Sequence, residues 1–504
     1  MKYTIIVISL LLLIINSYRA HAIIDYNDNC KKSFESTIAL DHKRTNTLLE
    51  IEIKRNPTNS VINYIRTYES FLNYVTNGDD DSFNSFEKNR ELCVNQLNNE
   101  TDNNPYKLYL LADIYLQESI INSLQSNYFS AIYLVKKSYN TINDNIDNFP
   151  DFVPNNKIKG LAQISIGSLP RKYNWAFSIL GIYGDVDKGF VNLKKSLLFT
   201  KNNKEYNFLF VENLLVYTFL SDNFSNQNIK DDILNNIFND TVYNKLYANN
   251  LFYIFVQASF FQHHKENSKT IKALAIVKNN PNRVTNDFCY LNYLYGLSLL
   301  YDLNDGSELF FQKYIDYYPA NNYKASSHQK IGWSKLIRGD LRGYLQEKTT
   351  INQIAPGFYD SDDQALKEAK SNEVPNTYLL KARLLFDGGY YQRATKAIME
   401  GKQLNSYKSE RSSIEYIYRL GRINDENGNY DIAEKYYLQT IEKAKDLNYF
   451  FAAKSALQLG YRYEITGQKV KAKQMYELIL DLDFDEYQNG ITQKAKAGIS
   501  RIGE

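Results

Sequence analysis

The chain has 504 residues, and its 59 basic and 57 acidic side chains nearly cancel. Balanced charge gives no general pull toward nucleic acid or an anionic lipid surface, so neither is expected as a partner. The length suffices for several cores or one elongated array, and only 9 prolines interrupt it, which suits an all-α protein.

The first element is a leader. Met1-Lys2 gives a short basic end, Tyr3 to Ile15 is almost wholly apolar, and Ala20-His21-Ala22 is a small-x-small cleavage pattern. This order predicts a secretory signal peptide over 1–22. An apolar run of roughly 13 residues is short for a bilayer span of about 20. No cysteine stands at the cleavage point, which disfavours a lipid anchor, and no later stretch predicts a transmembrane segment in the mature chain. The expectation is an exported protein, periplasmic or extracellular, beginning at Ile23. Cys30, Cys93 and Cys289 survive cleavage. An odd number leaves at least one thiol in an oxidising compartment, with Cys30 and Cys93 as the pair that could join.

Residues 23–150 read as an N-terminal helical region, broken at Asn56-Pro57 and at Asn77-Gly78-Asp79. Asn148-Phe149-Pro150-Asp151 through Pro154 marks a boundary. Residues 151–348 read as a looser helical array, in which Gly184 and Gly189 take the places of a turn glycine and a small packing residue. Residues 349–374, with Pro356-Gly357 and a short helix after Ser361, break the rhythm as an irregular connection.

Residues 375–504 carry a repeat. Ala394, Ala433 and Ala472 recur at a step of 39 residues, and so do Gly389, Gly428 and Gly467. Each copy predicts two helices around a glycine turn, with small residues (Gly421 or Gly460, then Ala433 or Ala472) letting the helices approach and Tyr437 or Tyr476 filling the space beside them. Pro375 is expected at the first helical position of the first copy. The pattern Leu459-Gly460, Tyr463, Gly467, Ala472 and Tyr476 resembles the tetratricopeptide repeat (TPR) family, each copy being about five residues longer than the family's usual length of roughly 34. The resemblance implies a superhelical array of antiparallel helix pairs, a TPR-like α-solenoid. Leu180-Gly181-Ile182-Tyr183-Gly184-Asp185, with Gly189-Phe190 and Leu193, is similar to a segment of the eukaryotic TPR family linked to inclusion-body clearance. The same run resembles secreted TPR proteins of the Bacteroidota type, and that likeness continues through Tyr290–Gly306, Leu380–Gly388 and Lys494–Gly498.

Sites of chemistry are not predicted. His263-His264 lies between two helices, where adjacent residues point about 100° apart. Asp425, Asn427 and Asn429 alternate like a calcium loop, but Tyr430 stands where glycine is needed and Tyr436 where the bidentate glutamate belongs. Asp481, Asp483 and Asp485 depart from that pattern in the same way. There is no G-x-S-x-G, H-E-x-x-H or phosphate-loop setting. An enzyme is not expected, and no metal or cofactor.

What the resemblance leaves is a surface, since the first helices of stacked pairs line the concave side. Arg383, Arg422 and Tyr461 stand 11 residues before the repeat alanines, and Asp387, Asp425, Glu426 and Glu464 follow about one turn later. This stripe is the candidate partner-binding groove. Leu379, Tyr418 and Leu457 occupy the positions one turn earlier, where TPR clamps for chaperone C-termini carry basic or amide residues, so that activity is not implied. The expected function is an exported scaffold binding a protein or peptide segment, in a bacterial envelope. The alternative is a glycan-binding envelope protein using aromatic side chains, of which tyrosine alone supplies 43.

Overall fold

Helical periodicity dominates the chain, and helices are what the computed structural model contains. It describes residues 24–100, 103–168, 184–224, 231–355, 357 and 359–503, among which there is no strand. Residues 1–22, expected as a leader, the run Leu180–Tyr183 and Pro356 lie outside the described residues. The chain divides into two compact units, Met1–Phe260 and Phe261–Glu504; the division falls inside the stretch read as one loose array.

The first unit contains α1 (Asp28–Ile38), α2 (His42–Arg55), α3 (Ser60–Asn77), α4 (Asp80–Asn98), α5 (Pro105–Leu124), α6 (Tyr128–Asn148), α7 (Asn155–Gly167), α8 (Val186–Asn202), α9 (Phe210–Phe224), α10 (Asp232–Asn239) and α11 (Thr241–Leu246). Neighbours in sequence pack in pairs, α1 on α2, α3 on α4, α5 on α6 and α7 on α8. At the last pair Gly189 meets Gly160 so closely that a Cβ on Gly160 would sit 2.7 Å from the Gly189 carbonyl oxygen. Gly189 thus holds the small-residue place expected of it. Cys30 and Cys93 do not join: both are buried free thiols. Cys30 on α1 lies 3.5 Å from the Asn59 amide. Cys93 on α4 lies against Thr67 of α3, and burial pushes its thiol up to about 12.

A charged cluster sits inside this unit. Lys157 on α7 donates to Asp113 Oδ1 on α5 at 2.8 Å and also pairs with Glu212 on α9. Tyr64 and Gln117 donate to Asp113 at 2.8 and 2.7 Å, and Tyr68 to Glu212 at 2.9 Å. All three charged residues are buried. Burial works against the Lys157 charge, but the two carboxylates outweigh it and hold its ammonium well above the usual range. Burial raises Glu212, against the pull of Lys157.

From Leu251 on come α12 (Leu251–His263), α13 (Asn267–Ala273), α14 (Ile276–Asn279), α15 (Pro281–Asp287), α16 (Tyr290–Tyr301), α17 (Ser307–Tyr317), α18 (Lys324–Ile337), α19 (Leu341–Ile351), α20 (Asp360–Lys370), α21 (Thr377–Asp387), α22 (Tyr391–Gln403), α23 (Glu410–Glu426), α24 (Tyr430–Ala444), α25 (Phe451–Ile465), α26 (Lys469–Asp481) and α27 (Gln488–Ile502). The second unit runs through α27 as stacked antiparallel pairs: α16–α17, α18–α19, α21–α22, α23–α24 and α25–α26, with α27 against the last pair. This is the TPR-like α-solenoid arrangement. Gly389, Gly428 and Gly467 turn the three C-terminal pairs with φ of 80, 78 and 75°, a region costly for residues with a Cβ. Ala394, Ala433 and Ala472 are buried between their helices. Pro375 lies outside its helix: Asn376 is the N-cap of α21, its side chain accepting from the Tyr378 and Leu379 amides. The connection 349–374 is ordered at α20, which buries Ala365 and Ala369 and packs on α18 and α19.

The end of the array is locked by one ring. Tyr476 on α26 packs between Gly460 of α25 and Gly498 of α27, and a Cβ on either glycine would lie 2.4 Å from that ring. Its hydroxyl donates to Glu464 at 2.6 Å, and Glu464 also accepts from Arg501 of α27 at 2.7 and 2.9 Å.

Candidate functional site

The first helices of the three C-terminal pairs each turn one polar face toward the same space. α21 presents Arg383, Phe386 and Asp387, α23 presents Tyr418, Arg419 and Arg422, and α25 presents Lys454 with Phe450 just before its start. α20 adds Asp360, Asp363 and Lys367, and α27 closes the other side with Gln488, Ile491 and Lys494. Together they enclose a cavity of about 410 Å³.

The cations here are held in different ways. Arg383 stacks over Trp333, 4.8 Å from the ring centre, donates to the Tyr487 hydroxyl at 3.2 Å and lies 4.0 Å from Asp387. Arg422 stacks over Phe386 at 4.9 Å, donates to Tyr418 at 3.2 Å and lies 3.8 Å from Glu426. Arg419 pairs with Glu415, and Lys367 donates to the Asp485 carbonyl at 3.0 Å. Lys454 and Lys494 differ: among the described residues neither ammonium has a carboxylate within ion-pair distance or a hydrogen-bond acceptor. Burial, reinforced by Arg422 and Lys494, pulls the Lys454 ammonium down to about 7. Burial lowers Lys494 as well.

Aromatic rings form the remaining wall. Phe450 meets Tyr487 edge-on at 5.1 Å and Tyr418 at 6.1 Å. Tyr487 takes a left-handed backbone, φ 58°, which is uncommon for a bulky residue and is fixed here by Phe450 and Arg383. Cations, one interior carboxylate and aromatic faces can engage a charged or aromatic group.

Of the stripe expected from the repeat register, Arg383, Asp387 and Arg422 meet at this cavity. The others are engaged elsewhere. Asp425 accepts from Tyr437 at 3.0 Å. Glu426 pairs with Lys265, whose ammonium also lies 4.0 Å over the Phe386 ring. Tyr461 packs edge-on against Tyr476 at 6.1 Å, and Glu464 holds Arg501. Lys454 and Lys494 are the residues the register did not single out. Lys454 is four residues beyond Phe450 on the inner side of α25, which counting could have reached. Lys494 arrives only because α27 folds back beside α25, for which local sequence carries no signal.

No protein-family model and no curated protein matches the chain. Solved structures are similar over most of its length. These include the APC/C hetero-tetramer Cut9-Hcn1, at 13% identity over 94% of this chain and 95% of that chain, TM-score 0.26. Yeast Tom70 matches at 13% over 92% and 87%, TM-score 0.23. Naa15/Naa10 bound to HypK-THB matches at 11% over 94% and 78%, TM-score 0.19.

Proposed function

We propose that this protein is an exported scaffold, in a bacterial envelope, that binds a protein segment on the face formed by α21, α23 and α25. The observation that carries this reading is the cavity itself: three successive first helices and α27 converge on it, and two of its cations have no ion-pair or hydrogen-bond partner among the described residues. Repeat arrays present extended surfaces of this kind to other chains.

The test is a photo-crosslinking residue at Gln488, which is exposed and lines the cavity, in the full chain without its leader. Incubated with a random peptide library, it should label peptides sharing a sequence pattern, and labelling should fall in the Arg383→Gln/Arg422→Gln variant. Labelling without pattern, unchanged in that variant, refutes the reading. The aromatic wall of Tyr418, Phe450 and Tyr487 favours a second reading, a glycan ligand stacking on rings, and a glycan array run beside the library decides between them. Export rests on residues 1–22. N-terminal sequencing of the native protein should begin at Ile23, and a cytoplasmic chain beginning at Met1 refutes it.

A further inference from the structure

We infer that the cavity holds an anion subsite, made by Lys454 and Lys494 with Arg422 behind them, that receives one acidic side chain of the bound segment. This deepens the protein-binding reading and rests on it, adding the group by which the segment is anchored.

The charges are unevenly distributed. Inside, Arg383 faces Asp387 and Arg422 faces Glu426, which Lys265 also claims. Those pairs leave Lys454 and Lys494, among the described residues, with no ion-pair or hydrogen-bond partner of their own. The remaining carboxylates of the lining, Asp360, Asp363 and Asp485, are exposed and screened by water. A cation drawn partly out of water without a partner is costly, and an entering carboxylate removes that cost by a charge-assisted hydrogen bond. The aromatic wall beside the lysines favours rings or aliphatic groups on either side of a single acid.

The groups around Lys454 set a pH dependence. Arg422 on α23, Lys494 on α27 and Lys265 between α12 and α13 oppose its charge, and Asp387 on α21 favours it. His263, lowered by burial, faces Lys494 and Lys265. With its ammonium near 7 when the cavity is empty, Lys454 is charged at pH 6 and mostly neutral at pH 8.5, so anion affinity falls across that range.

The experiment uses the full chain without its leader and two blocked tripeptides of nearly equal shape, acetyl-Phe-Glu-Phe-amide and acetyl-Phe-Gln-Phe-amide, measured by calorimetry at pH 6 and 8.5. The Glu peptide should bind about tenfold or more tightly than the Gln peptide at pH 6, as expected for a hydrogen bond to a charged group. The preference should shrink at pH 8.5. Lys454→Gln/Lys494→Gln should abolish it with no loss of melting temperature, since the variant removes two ammoniums that repel each other, and Lys454→Arg should retain the pH 6 preference. Equal binding of the two peptides, or a preference that survives the double glutamine variant, overturns the inference. If both peptides bind equally, the protein-binding reading stands and only the anion subsite falls. If neither binds and the cross-linking library also yields no pattern, the protein-binding reading falls with it.

Discussion

Replacing Lys157 with methionine tests how the first unit holds its interior charges. Lys157 is 1% exposed, Glu212 1% and Asp113 5%, so water does not relieve the change. Methionine keeps most of the stem volume, and the packing loss alone should stay under about 1.5 kcal/mol. The charge effect is larger. A pair 2.8 Å apart, as Lys157 and Asp113 are, attracts by about 6 kcal/mol at an effective dielectric near 20. Desolvation of the ions offsets much of this, so the intact trio is close to neutral for stability. Losing one partner is different: two carboxylates stay buried without their cation, at a cost of about 3–5 kcal/mol. A unit of this size loses about 2–4 °C per kcal/mol, or about 6–20 °C in all. Differential scanning calorimetry at neutral pH, with far-UV circular dichroism to follow the helices, measures it. Adding Glu212→Gln to the methionine variant should recover part of the loss, because one buried charge disappears. A shift of less than about 2 °C, or no recovery in the double variant, would show that the cluster is hydrated or that the charges are neutralised another way.

Ala433→Leu should overpack the α23–α24 contact and cost about 1–3 kcal/mol by chemical denaturation; an unchanged midpoint would mean the helices meet elsewhere. Gly460→Ala and Gly498→Ala should each cost at least as much, because the Tyr476 ring is gripped from both sides and tied to Glu464; a neutral result for both would contradict the interlock. A lysine with a depressed folded value binds fewer protons than in the unfolded chain. Lys454 should therefore make stability rise with pH from about 7 toward the ordinary lysine range near 10. Urea titrations across that window should show a smaller rise for Lys454→Met, and an identical slope would remove Lys454 as its source.

The C-terminal repeats were legible because their signals are local. A turn glycine, a small residue on each helix and a tyrosine beside it recur within a single copy, and Gly421 with Tyr437 or Gly460 with Tyr476 meet as spacing predicts. Arg383 and Arg422 could be placed on one face for the same reason. The fates of Asp425 and Glu426 could not, because Tyr437 and Lys265 draw them off and Lys265 is 161 residues away from Glu426 in the chain. Cys30 and Cys93 both lie in the N-terminal helices, but α1 and α4 present them to different neighbours, Asn59 and Thr67. The pull of α20 toward α18 was hidden as well: Glu368 accepts from the Trp333 ring nitrogen at 2.8 Å and from Tyr344 at 3.0 Å, contacts that composition does not announce.

The end helix has a bearing on how such a chain can change length. Repeat proteins grow by duplicating a unit, and most positions in a stack tolerate it because each pair touches only its neighbours. α27 here both packs on the α25–α26 pair, through Gly498 and Arg501, and supplies Lys494 to a space that also needs Arg383 from α21, three pairs before it. One extra 39-residue copy inserted after α24 would carry Lys494 away from Arg383 and leave the cavity without one wall. The number of pairs between α21 and α27 is therefore set by geometry, whereas copies added ahead of α16 leave that wall intact.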